Sequence, residues 1–564
     1  MNEPAPEESS IRVSTSFFDD QKMKSLQEWD DVFVSLLSIW SCFFVIQMDG
    51  ESSVYTLNKA HASVAFGKFQ MDGESPVYTV DEALTSVGFG KFQILVLVYA
   101  GLGWFSEAME LMILSFVGPA VKSQWDLSDD QESLISTVVF AGMLVGGFSL
   151  GLISDCYGRR KGLLGLNLLT CVAGVLSTFS PNYASLVTLR FFVGFGVGGG
   201  DVFVTWFLEF VPASHRGIRM IFLSFFWTFG TIFEAALAWI VMPGLGWRWL
   251  LGLSSLPSIA MLLFYSLVPE SPRYLCTKGR ITDAHKILEK IARLNQSKLP
   301  PGMLVSDSTV GRDEESANSE STPLHSTTRK MDLDLRSGFS SLVTLFSSKF
   351  VRTTLLLWAL CFGNVFSYYG ILLLASELSS AQSQCGSSNA MFSKILQDDS
   401  LYVNVFITSL AEIPGLLISA IMVDRIGRKF TVAFLFVLAC ISLLPLVHRQ
   451  PATLTTVLLF GARMSTNGAF TVSAIYGLEL YPTALRATAG GAAGAVGRVG
   501  GMICPLVAVA LVTSCRLTEA IILFEVVMAI STVCVLLVRV ETKGKELSDS
   551  IDHVSDSEQA ADVR

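Results

Sequence analysis

Charge is scarce in this chain. Only 16% of its 564 residues are Asp, Glu, Lys or Arg, against about 25% in soluble domains, so an ordinary water-facing globular surface is excluded. The ten cysteines include no CxxC pair, which removes the familiar zinc and redox spacings. The sequence shows no metal-ligand cluster, catalytic triad or phosphate-binding loop. It therefore carries no expected catalytic or metal residue, calls for no cofactor, and does not read as an enzyme. A net charge of −9 argues against a nucleic-acid partner. The acids gather in "GRDEESANSESTPLHS" and in the C-terminal "ELSDSIDHVSDSEQAADVR".

What is present is apolar. Hydrophobic residues make up 51% of the chain and mean hydropathy is +0.52. The surplus falls in runs of about 20 residues, the length that crosses a bilayer core. Lipid forces each run to satisfy its own backbone hydrogen bonds, so an all-α membrane protein is expected. Twelve segments follow Gln93: 93–119, 132–154, 162–180, 184–211, 217–241, 248–268, 351–375, 400–423, 430–447, 452–480, 487–513 and 517–538, called here spans 1 to 12. "YGRRK", "SHRGIR", "RIGRK", "LRA" and "VRVETKGK" follow spans 2, 4, 8, 10 and 12. Lys and Arg thus collect on one side, which is the cytoplasmic side by the positive-inside rule. Both termini and the polar stretch 276–345 face inward. That stretch is rich in Ser and acids and poor in aromatics, so it reads as a mostly disordered linker open to kinases. Cys385 and Cys515 fall in outward loops and are the one candidate disulfide.

Near the N-terminus the chain repeats itself. Met48–Gln70 and Met71–Gln93 agree at 16 of 23 positions. The second copy opens with Thr79 and Glu82 spaced as a capping box and leads through "GFGKFQ" into span 1. In the first copy Lys59 stands where Glu82 stands in the second. Upstream, Val32–Ile46 is 15 residues long, below the roughly 17 needed to span. The expected organisation is an appended, poorly ordered segment 1–70 and an amphipathic lead-in helix 71–92. A six-helix half 93–275, a linker 276–345, a second six-helix half 346–545 and an acidic tail 546–564 follow. Deleting residues 1–70 should leave function intact.

A fainter repeat is more informative. "DCYGRRK" at Asp155 recurs as "DRIGRKF" at Asp424, 269 residues on. "EFVPASHR" at Glu209 recurs as "ELYPTALR" at Glu479, and "PESPRYL" at Pro269 is echoed by "VETKGKEL" at Val540, at nearly the same offset. Three features at one offset imply two six-helix halves in parallel topology, an architecture of secondary transporters that bind substrate between the halves near the bilayer midplane.

On these motifs the chain resembles the major facilitator superfamily. "GLISDCYGRR" (Gly151–Arg160) matches its G-x-x-x-D-x-x-G-R-[RK] loop, and "RFFVG" (Arg190–Gly194) resembles the R-x-x-x-G of proton-coupled members. "PESPRYL" and "ETKGKEL" resemble sugar porters, but spans 5 and 7 lack the glutamines that hold a hexose there, which makes a sugar a distant alternative. "SEAMELMILSFVGPAV", "FWTFGTIFEAALAWIVMPGLGWRWLL" and "AEIPGLLISAIMVDRIGRK" look closer to the plant nicotinate and organic cation/carnitine branch, related to synaptic-vesicle carriers. That branch is expected to carry Pro after "GVGGG", where this chain has Asp201.

Charges inside spans are rare and usually functional. Glu107 and Glu110 lie three residues apart on one face of span 1. Two close acids in a low dielectric cannot both ionise cheaply, so they read as a proton-titrating, cation-attracting pair, with Glu107 preferred. The bland alternative is an ion pair with Arg190 that locks spans 1 and 4. Arg498 in span 11 can clamp a carboxylate with two parallel hydrogen bonds. Glu234 in span 5 can neutralise a quaternary or pyridinium nitrogen, with Trp227, Tyr368 or Tyr369 supplying a π face. Arg190, read equally as a brace to the backbone of span 1 or as a direct proton-coupling residue, completes the candidate cavity set with Asn364 and Asp201. Arg463 reads as the counterpart of Arg190, and Glu412 and Glu525 as structural. The gating set comprises Gly151, Asp155, Gly158, Arg159, Arg160, Glu209, Arg216, Glu270 and Arg273 in the first half. In the second it comprises Asp424, Gly427, Arg428, Glu479, Arg486 and Glu541.

These readings converge on a secondary carrier of small zwitterions or organic cations working by alternating access and driven by a proton gradient. The branch resemblance implies nicotinate, N-methyl nicotinate or carnitine. The alternatives are a polyspecific organic cation/carnitine carrier and, from another class, a non-transporting receptor or scaffold. The plasma membrane is the expected location, with the vacuole or another endomembrane as alternatives. The expected partners are the small-molecule substrate and lipid, with oligomeric state open.

Overall fold

A computed structural model provides the structure. The chain divides into two units, residues 1–76 and 77–564. The structure describes the second over residues 77–212, 216–305, 343–384, 393–448, 450–481, 483–513 and 516–543. The appended segment 1–70, Cys385, Cys515 and the tail 546–564 lie outside the described residues, as do the side chains of Arg216, Asp424 and Arg486.

The capping box is formed as its spacing requires. Glu82 Oε2 accepts from the Thr79 N–H at 2.9 Å, and Thr79 Oγ1 accepts from the Glu82 N–H at 3.3 Å. Such caps contribute about 1 kcal/mol. The helix Val80–Val87 buries Val80, Ala83, Leu84 and Val87 against a helix at Ile281–Leu294. That partner lies inside 276–345, where a disordered linker was expected. Its residues Ala284, Leu288 and Ile291 recur at helical spacing and are buried, so this part of the loop folds. A two-residue parallel ladder pairs Val77 with Met303 and Tyr78 with Leu304. Asn295 Oδ1 accepts from the Phe92 N–H at 3.0 Å, and its amide donates to Gln93 Oε1 at 2.7 Å. The loop is thereby tied to the first turn of span 1.

Among the described residues, ten helical stretches are long and apolar enough to cross a membrane, including Lys91–Trp125, Asp129–Tyr157, Tyr183–Leu208 and Thr488–Val512. The remaining two members of the bundle are also helical. Span 6 is divided into Trp247–Ser254 and Leu256–Leu263. Span 10 is Ala452–Glu479, which carries the charged Arg463. The two helices of span 6 are each 8 residues long, too short to cross alone, and both spans are packed among other helices.

Spans 2 and 4 approach through glycine on both sides. A Cβ on Gly142 would sit 2.2 Å from the Phe191 carbonyl oxygen, and one on Gly194 would sit 2.1 Å from that of Val139. In lipid, where burial gives no hydrophobic driving force between helices, such close backbone contact is what holds spans together.

The two halves meet unequally along their length. One apolar core joins the outer ends of the first half (Met112, Phe116, Val121, Trp247) to the second half (Leu372, Tyr402, Phe524). Phe116 meets Tyr402 with ring centroids 5.9 Å apart, and Trp239 meets Phe406 at 6.0 Å. At the cytoplasmic end the first half and its loop form a core of their own, from Tyr78 to Leu304, while Phe350, Tyr481 and Val538 of the second half belong to the core that joins the outer ends. Among the described residues the ring contacts that join the halves, Phe116–Tyr402, Trp239–Phe406 and Phe140–Tyr369, close the outer side.

Candidate functional site

The cytoplasmic ends repeat one construction. Arg159 pairs with Asp155 and, through Nε, with Glu209 at 2.9 Å. Arg428 holds Glu479 with two hydrogen bonds of 3.0 and 3.1 Å. Glu270 accepts from the Arg160 N–H at 3.3 Å. Its counterpart Glu541 accepts from the N–H groups of Arg428 and Lys429 at 2.9 and 3.1 Å. Each glutamate thus caps a helix N-terminus, satisfying donors that the helix cannot. Gly158 and Gly427 precede those helices at φ 109° and 91°, where L side chains are strained. A Cβ on Gly158 would also meet Glu270 Oε2 at 2.4 Å. Arg160 places its guanidinium over the Tyr265 ring, 5.1 Å from the centroid, and Arg273 pairs with Asp81 of the lead-in helix. Gly151 has open space around it. Among the described residues, these charges pair within their own half.

Inside the first half, Arg190 Nη1 donates to Glu110 Oε2 at 2.9 Å, with side chains 0% and 1% exposed. Its Nε donates to Ser177 Oγ at 3.3 Å. This is the interhelical lock weighed above as the bland reading of the pair. Glu234, expected to contact substrate, is fully buried, and both its carboxylate oxygens lie 2.8 Å from Ser254 Oγ. It faces span 6 of its own half rather than the gap between halves, because rotation of span 5 about its axis points it inward. Asn364 is buried with its side-chain oxygen unpartnered.

The inter-half site forms around the glycine run of span 4. The helix breaks between Val197 and Asp201, and the Val202 N–H bonds to the Gly199 carbonyl. A regular turn would have used the Gly198 carbonyl, the acceptor four residues back. Arg498, at the middle of the helix Thr483–Thr513, donates to that Gly198 oxygen at 3.1 Å and to Asp201 Oδ2 at 3.3 Å. Room for its guanidinium comes from Gly147, whose Cβ would lie 2.6 Å from Nη1. The side chain of Asp201 is 80% exposed and that of Arg498 18%, so the pair is open at its Asp201 end. Glu107 packs its carboxylate against Gly200 and is 7% exposed, with Oε1 unpartnered. One cation and two acids thus meet on the boundary between the halves.

A second junction lies beside it. Trp227 Nε1 donates to Tyr368 Oη at 3.2 Å, and Tyr368 donates to Glu412 Oε1 at 2.9 Å. Arg463 donates to the same oxygen from Nε at 3.1 Å and Nη2 at 2.9 Å. The ring of Tyr369 stands edge-on to Phe140 at 4.8 Å. Trp227, Tyr368 and Tyr369 therefore do gather between the halves. Glu412, read in the sequence as structural, joins them through its buried pair with Arg463; its partners come from distant spans and leave no local signature.

Among the described residues no group of His, Cys, Asp and Glu could hold a metal ion.

Comparison with known proteins agrees with this architecture. A family profile described as "Sugar (and other) transporter" matches residues 97–552. The chain is 52% identical over 508 residues to "Organic cation/carnitine transporter 7" of Arabidopsis thaliana, covering 88% of this chain and 96% of that protein. It is 37% identical over 460 residues to "Synaptic vesicle 2-related protein" of Xenopus laevis, covering 80% and 78%. Among solved structures, the proton:xylose symporter XylE, a major facilitator superfamily protein, superposes with a TM-score of 0.60 at 18% identity, covering 82% of this chain and 99% of that one. An inward-open XylE from E. coli gives 0.58 at 16% identity, with the same coverages.

Proposed function

This chain belongs to the sugar-and-other-transporter family of the major facilitator superfamily, a multi-pass membrane carrier and not an enzyme, and from that premise we propose that it moves small zwitterions or organic cations with protons across the plasma membrane. One observation carries the reading: Arg498 of the second half bridges to Asp201 and the Gly198 carbonyl of the first, beside Glu107. A zwitterion such as carnitine, nicotinate or N-methyl nicotinate presents one carboxylate and one cationic or ring nitrogen. Arg498 suits the carboxylate. Asp201 suits the nitrogen, and Trp227 offers a π face to it. This assigns the cationic pole to Asp201 in place of Glu234, which Ser254 holds within its own half. The name of the Arabidopsis relative points to the same substrate class.

Proton coupling is assigned to Glu107, whose buried Oε1 lacks a partner and can carry a proton at no cost in lost hydrogen bonds. Alternating access supplies the rest: the closed outer side described here must open while the inner ends close.

The test is uptake. Cells lacking their own carrier and expressing this chain should accumulate labelled nicotinate or carnitine faster at pH 5.5 than at pH 7.5, and a protonophore should remove the difference. No accumulation of any zwitterion or organic cation in a competition panel would reject the substrate class. Accumulation indifferent to pH and protonophore would reject the coupling alone.

A further inference from the structure

We infer that Glu412 is the latch of the outer gate, a carboxylate that fastens the second half of the transporter to the first and releases it without stranding a buried polar group. The inference concerns the conformational cycle and does not depend on which substrate is carried.

Glu412 is fully buried and is prepared from its own half. Arg463 gives its Oε1 two hydrogen bonds and Tyr368 a third. Asn467 holds the Glu412 backbone carbonyl at 3.2 Å. The charged and titratable groups that face it are Arg463, Tyr368 and Tyr369, all of the second half. The second oxygen of Glu412, Oε2, faces the other half and accepts from Thr231 Oγ1 of span 5 at 3.0 Å. The same helix sends Trp227 to Tyr368, and Arg463 also touches Met112 Sδ of span 1 at 3.6 Å.

A static brace would bond within one half, as Glu110 and Arg190 do. Glu412 instead bonds across the surface that must part for the outer side to open. The contacts on each side also have somewhere else to go. Thr231 has one hydroxyl proton and a second acceptor within reach, the Thr228 carbonyl at 2.9 Å on its own helix. When the halves separate, Thr231 turns its proton to Thr228, Glu412 keeps Arg463 and Tyr368 on Oε1, and its freed Oε2 and the N–H of Trp227, already partly solvent-accessible, turn to the water that the opening admits. Opening therefore loses one charge-assisted bond rather than the larger penalty of an orphaned buried group. That is the property a reversible latch needs.

The test reads the conformation directly, without substrate. Ser136 is buried at the outer end of span 2, next to Thr137, which bonds to the Met502 carbonyl of the other half at 3.2 Å. A Ser136→Cys variant reports outer opening by its rate of labelling with a membrane-impermeant maleimide from outside, with the parent lacking this cysteine as the blank. Thr231→Val keeps the shape and removes the hydroxyl, and should raise labelling roughly tenfold, the equivalent of one hydrogen bond to a charged group. Thr231→Ser should restore the original rate. Glu412→Gln should also raise it, and adding Thr231→Val to Glu412→Gln should raise it no further. Labelling unchanged by Thr231→Val, or effects that multiply in the double variant, would overturn the inference. If Glu412→Gln does not fold, the Thr231→Val and Thr231→Ser pair decides alone.

Discussion

Arg190 and Glu110 lie 2.9 Å apart, and neither side chain reaches solvent. The pair joins span 4 to span 1 within one half, and Ser177 supplies a further partner. Breaking a buried pair by removing one member leaves an uncompensated charge and costs about 3–5 kcal/mol, whereas replacing both with apolar residues of similar volume is often neutral. Glu110→Leu or Arg190→Met alone should therefore sharply lower the melting temperature of the detergent-solubilised protein. The double variant should recover most of the loss. Double-variant stability no better than the worse single variant would assign the pair more than a bracing role.

Glu234 should be dispensable for substrate recognition. Its carboxylate is held by Ser254 and is fully buried in the first half. Glu234→Gln should leave KM for a cationic substrate within about twofold, while Asp201→Asn raises it by tenfold or more, the loss expected of one charge-assisted contact. Concentration-dependent uptake by both variants measures this.

The glycines divide into two classes. At Gly194 and Gly146 a methyl group would fall 2.1 and 1.9 Å from carbonyl oxygens of the facing helix. Gly194→Ala and Gly146→Ala should each lower the yield of folded protein severely. Gly151 and Gly491 have open space, so Gly151→Ala and Gly491→Ala should fold as the parent does. Gly151→Ala can then affect transport only through the state in which the cytoplasmic ends close, and uptake assays on the folded protein would expose that.

Much of this was legible from the residues, for reasons that also mark where legibility stopped. The spans could be read because lipid imposes length and apolarity segment by segment. The two halves could be read because Asp155 and Asp424, or Glu209 and Glu479, share a chemical role at one offset. The capping box of Thr79 and Glu82 is a local, three-residue matter. The partners of Glu234 and Glu412 could not be read, because what an in-span acid meets depends on which way its helix is turned. Their partners Ser254 and Thr231 lie 20 and 181 residues away. The helix Ile281–Leu294 was hidden by the polar average of its loop, although the spacing of Ala284, Leu288 and Ile291 carries the signal.

Glu107 should set the response to pH. Glu107→Gln keeps the volume and the hydrogen-bonding oxygen while removing the titratable proton. Uptake by this variant should be nearly flat between pH 5.5 and 7.5 and insensitive to protonophore. A variant whose acid stimulation matches the parent would move the coupling site elsewhere.

The central claim, that Arg498 receives a substrate carboxylate between the halves, is tested most directly by comparing two substrates in one variant. Uptake of labelled carnitine and of tetraethylammonium, a cation of similar kind without a carboxylate, should be measured in cells expressing the parent and Arg498→Gln. The account predicts that carnitine uptake falls at least tenfold while tetraethylammonium uptake falls far less. Equal loss for both substrates, or no loss for carnitine, would contradict it.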